Sequence, residues 1–297
     1  MAGWNSVFKE IKNEDFQSPL DTVRKRHIKE LAELTGRNVI CYYSGFLNCD
    51  DNIDISINDR DLNGFMTVIH NLDKTKGLDL IIHSPGGDVT ATEAIGDYLR
   101  KVFGGDIRIF VPQLAMSGGT MLSCIGNVIY MGKHSSIGPI DPQYNGVPAH
   151  GVIQEYEQAK KEVCENPNTI VFWQNVISKY PAAFIGQCYK AIELSSDVLK
   201  KWLKEGNMFD GDSAKDKKIE KIMKFLNNNE YTKIHSRHIG IDKAIDIGLK
   251  IKPLEDDSVL QDAILTVHHC YMHTFQNTKA VKIIENQNDV SFILNNN

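Results

Sequence analysis

Three features of the chain predict an α/β fold, a parallel sheet wrapped by helices. Short apolar runs alternate with amphipathic segments in the order β-α-β-α-β-α-β between residues 37 and 132. The connections span about two to six residues, the usual length for βα and αβ turns. Two of the runs end in glycine-rich turns that open helices, "HSPGGDV" at 83–89 and "AMSGGTM" at 115–121.

Each element has its own signal. "SPLDTVRKRHIKELAELT" (18–35) is an amphipathic helix with Ser18 as a cap, Pro19 after it and Gly36 just past the end. "RNVICYYSG" (37–45) reads as a buried strand. In "INDRDLNGFMTVIHNL" (57–72), Leu62, Phe65, Met66, Ile69 and Leu72 recur at helical spacing. "LDLIIHSPGGDV" (78–89) is a strand running into a turn, and "TATEAIGDYLRKVF" (90–103) is a helix with Ile95, Leu99 and Val102 on one side. "IRIFVPQ" (107–113) and "VIYMG" (128–132) are strands that flank a buried helix, "GGTMLSCIG" (118–126).

From about residue 150 the pattern turns helical, through "GVIQEYEQAKKEV", "TIVFWQNVISKY" and "AAFIGQCYKAIELSSDVLKKWL". A polar segment, "FLNNNEYTKIHSRHIG", precedes "DKAIDIGLKI" and a last helix, "SVLQDAILTVHHCYMHTFQNT". The expected organisation is an N-terminal helical arm (1–36), one α/β domain with a helical C-terminal half (37–285) and a flexible tail (286–297).

Composition narrows the function classes. A net charge of -5 gives no general reason to expect a nucleic-acid partner. Six cysteines lie scattered with no CxxC pair, which suits a reducing compartment better than a disulfide framework. "MAGWNSVFKEIKNEDF" has no apolar signal-peptide core, so a cytoplasmic location is the expectation. Ile109 to Gly132 carries no charge and is long enough for a bilayer. Pro112, Gln113, Ser117 and Asn127 interrupt it, so a buried strand, turn and helix are expected instead.

The two glycine-rich turns carry the candidate chemistry. In an open parallel sheet the carboxyl ends of the strands line one crevice, so both turns should face one site. Helix N-termini present unpaired N–H groups suited to an oxyanion. Ser117 is then a candidate nucleophile, with the N–H groups of Gly118 and Gly87 as oxyanion donors. The plainer alternative is that Ser117 caps its helix and the glycines only permit close packing.

"LDLIIHSPGGDV" and "AMSGGTMLSCIGNVIYMGKHSSIGPIDPQ" resemble the Clp-protease/crotonase fold, a ββα superhelix. More narrowly they resemble the serine dehydrogenase proteinase family, related to Clp protease and signal peptide peptidase A. "VICYYSG", "SIGPIDPQ", "AIDIGLKI" and the late "HTFQNTKAVKIIEN" fall in the family's order, so the resemblance covers roughly residues 20 to 285. It implies a serine peptidase that attacks a peptide carbonyl through Ser117, with Gly87 and Gly118 as the oxyanion hole. It also implies a trimer-based or ring-shaped homo-oligomer acting on peptides or unfolded segments. A separate unfoldase or membrane-associated partner could feed it, since no GxxxxGK[ST] motif is present. No GxGxxG turn occurs either, so no dinucleotide cofactor is expected.

The general base is open. Where Clp protease has its histidine, this chain reads "GPIDPQ", with Asp141 and no histidine. Asp141 could orient a base or simply hold its Pro-flanked turn. His134, 17 residues beyond Ser117, and His150, before a helix, are candidates, each also readable as a surface histidine. Signal peptide peptidase A relatives use a Ser-Lys dyad, for which Lys161 and Lys160 are placed. Val152, Tyr156 and Val163 suggest an inward stripe near Lys161. A lysine serves as a base only if burial or a nearby cation lowers its pKa, and both could equally be solvated.

His269 and His273 share a helix face but lack an acidic third ligand at a recognisable spacing, so no metal is expected. Two other readings remain: a crotonase-like acyl-CoA enzyme, which would not need Ser117 as nucleophile, and a catalytically silent scaffold.

Overall fold

The computed structural model describes residues 4–13, 18–48, 55–144 and 146–296. Helices α1 (Trp4–Asn13) and α2 (Pro19–Thr35) precede β1 (Asn38–Ser44), α3 (Arg60–Ile69), β2 (Leu78–His83), α4 (Val89–Phe103) and β3 (Ile107–Val111). Short β4 (Leu114–Ala115), α5 (Gly118–Ser123), β5 (Val128–Met131) and β6 (Ser136–Ile137) follow. A hairpin of β7 (Gln143–Tyr144) and β8 (Val147–Pro148) leads to α6 (Ala149–Glu165), α7 (Ile170–Ile177), α8 (Phe184–Glu205), α9 (Lys215–Leu226) and α10 (Asn229–Thr232). The chain closes with β9 (Ile239–Gly240), α11 (Ile241–Asp246), β10 (Ile251–Pro253), α12 (Ser258–Asn277), β11 (Ala280–Asn286) and β12 (Ser291–Asn295).

The main sheet runs β10-β5-β3-β2-β1-β11-β12. Its first five strands are parallel, and β11 is antiparallel to both neighbours. The expected α/β architecture with a mostly parallel sheet and a helical C-terminal half is therefore present. Both faces are covered, which is why the strands read as continuous apolar runs. Ile40, Tyr42, Leu80, Ile82 and Ile109 face one core with Phe65, Ile95 and Trp202. The alternate residues Val39, Cys41, Tyr43, Ile81 and Phe110 face the other with Ile28, Leu31, Val267 and Tyr271. A second small sheet, β4-β6-β9, stands at the carboxyl ends of the parallel strands.

Three expectations meet a different outcome or a specific explanation. The segment taken as an arm supplies α2, whose Ile28 and Leu31 are buried in the second core against α12. The segment taken as a flexible tail supplies β12, which pairs with β11 from Glu285↔Ser291 to Ala280↔Asn295. The strand rests there because Leu294 is buried and Phe292 packs against the first core. The uncharged stretch is the interior run of β3, β4, α5 and β5, where α5 is buried throughout. Among the described residues no helix is long and apolar enough to cross a membrane. The basic run 215–224 forms α9, which buries Ile219 and Ile222 and leaves most of its lysines exposed.

Trp202 fastens α8 to α4. It is fully buried, its Nε1–H donates to Asp97 at 2.7 Å, and a Cβ on Gly96 would come within 2.4 Å of its ring. Trp202→Ala is expected to lower unfolding free energy by about 3–5 kcal/mol, measured by denaturant titration; a loss under about 1 kcal/mol would show that α8 does not depend on this anchor.

His83 ends β2 fully buried, and burial pushes its imidazole down to about 3 from 6.5. The unfolded chain binds a proton near pH 6.5 that the folded chain refuses, so this group lowers stability as pH falls from 6.5 toward 3. In His83→Leu the decline of the thermal midpoint across that range should be shallower than in the parent. Identical slopes would exclude His83 as a contributor.

Candidate functional site

The two glycine-rich turns are stitched together by backbone hydrogen bonds. Ser84, just past β2, donates its N–H to Leu114 O (3.0 Å), and Ser84 O accepts from Met116 N–H (2.9 Å). The turns leaving β2 and β4 are therefore held side by side. Asp88 ends the first turn as the cap of α4, accepting from Ala91 N–H at 2.8 Å.

Ser117 sits at the bend between β4 and α5 with φ 50° and ψ -115°, a conformation that costs free energy in any residue with a Cβ. A strained strand-to-helix turn of this kind holds a nucleophile's side chain out from the sheet end. The close neighbour on its other side is Gly86 (φ 94°), where a Cβ would come within 2.6 Å of both Met116 O and Ser117 Cβ. Only glycine fits there.

Gly87 lies against the segment before α3. Ile57 N–H donates to Gly86 O (2.8 Å) and Asp88 N–H to Ile57 O (2.9 Å), a parallel bridge around Gly87. In such a bridge the central residue's own N–H points away from the partner strand. Gly87 N lies beside the start of α5, where a Cβ on Gly118 would come within 3.3 Å of it. Among the described residues neither the Gly87 nor the Gly118 N–H donates to another group. The arrangement offers two amides beside one strained serine.

The strand β6 brings a carboxylate to the same place. Thr120 Oγ1 accepts from Gly138 N–H at 2.9 Å and lies 2.8 Å from Ala115 O, tying α5 to the segment after β6. Asp141 follows, with 1% exposure. One of its oxygens accepts from Gln143 Nε2 (2.8 Å), and the other lies 2.9 Å from His235 Nδ1. His235 stands in the segment between α10 and β9, and it is the antiparallel pairing of β9 with β6 that returns that segment to Asp141.

Ser117, Gly86, Gly87, Asp141 and His235 line one cavity of about 1140 Å³. Its far wall is α8, through Gln187, Lys190 and Leu194.

The other candidates lie elsewhere. Lys160 and Lys161 are on the outer face of α6, 56% and 75% exposed, paired with Glu157 and Glu165. The hydrogen bond and charge of Glu157 hold the Lys160 ammonium above its ordinary value, the opposite of what a general base requires. The structure does not bring either lysine to Ser117, because the inward face of α6 is carried by Val152 and Ala159. His134 is exposed on the turn after β5 with its ring over Gly132. His150 is in the first turn of α6, and its Nε2 is buried without a hydrogen-bond partner among the described residues. On α12, the His273 ring stacks on Phe8 and His269 lies beside His268.

His235 belongs to a polar segment that sequence alone reads as a spacer. Its signal was a pair of histidines, His235 and His238, directly before the β9 residues "IG". Nothing local relates them to Asp141, 94 residues away.

Gly86→Ala is expected to cost at least about tenfold in the labelling rate of Ser117 by a serine-directed fluorophosphonate, because the new Cβ collides with Met116 O and Ser117 Cβ. Unchanged labelling in a folded variant would show that the two turns are not interlocked.

Two curated relatives are themselves uncharacterized. Protein MJ0137 of Methanocaldococcus jannaschii is 27% identical over 202 residues, covering 67% of this chain and 59% of that protein. MJ1495 of the same organism is 28% identical over 174 residues, covering 59% of this chain and 51% of that protein. The chain thus spans little more than half the length of each. No solved structure matches it. Residues 20–288, nearly the whole of the interlocked turns, sheet and α12 just described, match the ClpP-like SDH-type serine proteinases, and the chain belongs to that family.

Proposed function

We propose that this chain is a serine peptidase, the general activity that its family membership supports. We propose that this one works through a Ser117 acyl-enzyme, with Gly87 and Gly118 N–H groups as the oxyanion hole and a His235–Asp141 pair as the base. The carrying observation is that a buried carboxylate engages His235 Nδ1 on the wall of the cavity that Ser117 lines.

The roles follow from the orientation of the ring. With Nδ1–H donated to Asp141, Nε2 is the free acceptor. It takes the proton of Ser117 as Oγ attacks the peptide carbonyl. Negative charge gathers on the carbonyl oxygen between the two amides. The imidazolium then gives its proton to the leaving amine, and water, activated by the same nitrogen, releases the acyl group. Ser117 Oγ and His235 share no hydrogen bond among the described residues. Such contacts commonly tighten only when substrate is bound.

Asp88 and Asp141 line the cavity and are engaged by the chain's own donors, Ala91 N–H for the first and Gln143 and His235 for the second. Peptides or loose segments of proteins are the proposed substrates. Assembly as a trimer-based or ring homo-oligomer, a cytoplasmic location and delivery by a separate unfoldase or membrane-associated partner belong to the same proposal.

Fluorophosphonate labelling and hydrolysis of a fluorogenic peptide library test it. Ser117→Ala is expected to abolish both. His235→Ala should lower kcat by about 10²–10⁴-fold, the usual contribution of a positioned acid–base group, while Lys160→Met/Lys161→Met stays within about twofold of the parent. Full activity without His235, or loss in the lysine variant, would refute the assignment of the base.

A further inference from the structure

The segment 55–58 is held against Gly87 from behind by a fully buried charge pair. Lys282, on β11, and Asp61, in the first turn of α3, are both 0% exposed. Lys282 Nζ donates to both Asp61 oxygens, at 2.8 and 3.0 Å, and to Ser56 O at 2.7 Å. Asp61 Oδ2 also accepts from Tyr42 OH (2.7 Å) and Asn58 N–H (3.1 Å). Burial, with Asp61 beside it, pushes the Tyr42 phenol well up, so it remains a donor. Ser44 Oγ donates to Ile55 O at 2.7 Å. The carbonyls of residues 55 and 56 are therefore both pinned from the sheet side, and the next residue is Ile57.

Ile57 is the bridge partner of the glycine turn. Its N–H and C=O grip Gly86 O and Asp88 N–H, and a Cβ on Gly87 would meet Ile57 N and O at 2.3 Å. The direction of the Gly87 N–H is set by that grip. We propose that the Lys282–Asp61 pair is a positioning unit for the oxyanion hole, acting through Ser56 and Ile57 on Gly87. The proposal rests on the peptidase reading given above. It explains why a lysine is kept in a dry site where apolar side chains of similar volume would pack at no cost in stability. The pair is made by β11, which comes late in the chain, and the helix that follows the segment. The oxyanion geometry thus depends on β11 being in place.

Lys282→Met keeps the volume and removes the grip on Ser56 O. Ser44→Ala removes the neighbouring bond without touching the buried charges, and serves if the first variant does not fold. Each is assayed as full-length chain, with active sites counted by fluorophosphonate titration. The readouts are kcat per titrated Ser117, KM for a fluorogenic peptide, and affinity for a peptide boronate, whose tetrahedral adduct places an oxygen in the hole. The expected result for Lys282→Met is a kcat lower by about 10- to 100-fold, boronate affinity weakened to a similar degree, and KM within about twofold. Ser44→Ala should shift the same two quantities by about 3- to 10-fold.

A purely structural role would lower the titrated fraction while leaving kcat per site and boronate affinity unchanged, and that outcome overturns the proposal. A parent chain that never labels at Ser117 overturns the peptidase reading first, and the positioning role with it. Labelling of the parent with unaltered constants in both variants sinks the positioning role alone.

Discussion

Everything at the site depends on two backbone hydrogen bonds, those between Ser84 and the Leu114–Met116 segment. They join the exit of one parallel strand to the entry of the next helix. Without them β2 and β4 would leave the sheet as two separate loops, and the Ser117 turn would have no wall to be pressed against. With them, Gly86 backs directly onto Ser117 Cβ. The strain of a serine at φ 50° is sustained because neighbours on both sides leave no alternative.

The same device explains the pattern of glycines. Gly86 has a left-handed φ and no room, Gly87 is in contact with the Ile57 backbone, and Gly118 meets Thr92 and Gly87. At Gly86 and Gly87 another main chain occupies the space a Cβ would take, and at Gly118 the Thr92 hydroxyl does. Close approach of three backbones is what leaves amides pointing into a cavity instead of into a ladder. A catalytic apparatus made from main-chain groups can only be as exact as the packing around it, so the cost is met by a well-buried sheet with apolar layers on both faces.

What was legible in the sequence was what local chemistry decides. The continuous apolar runs of β1, β2 and β3 announce strands buried on both faces, and "SPGG" and "SGG" after such strands announce turns that only glycine can make. What was not legible depends on pairings made far along the chain. His235 meets Asp141 only because β9 closes on β6, and no periodicity near either residue encodes that. The stripe of Val152, Tyr156 and Val163 was real as a sign of amphipathicity. Of its residues only Val152 joins the small cluster with Cys188 that packs α6 on α8, apart from the main core, and the adjacent Lys161 gains no burial from it. The C-terminal strand was masked by its Asn-rich surroundings, although "VSFIL" carries enough apolar surface to claim a sheet edge.

Order in the chain and order in the site run in opposite senses. In the proposed mechanism nucleophile, carboxylate and histidine appear as Ser117, Asp141 and His235, while the group pinning the segment behind Gly87 waits until Lys282. The parallel strands β1, β2, β3 and β5 follow one another closely in the chain. β9 and β11 can add their contributions only after the long helical stretch has been made. A chain without β9 and β11 in place would therefore hold the serine turn without the proposed base or the brace behind Gly87. On the proposed mechanism a strained serine alone, without a base or a fixed pair of donors, gains little over water.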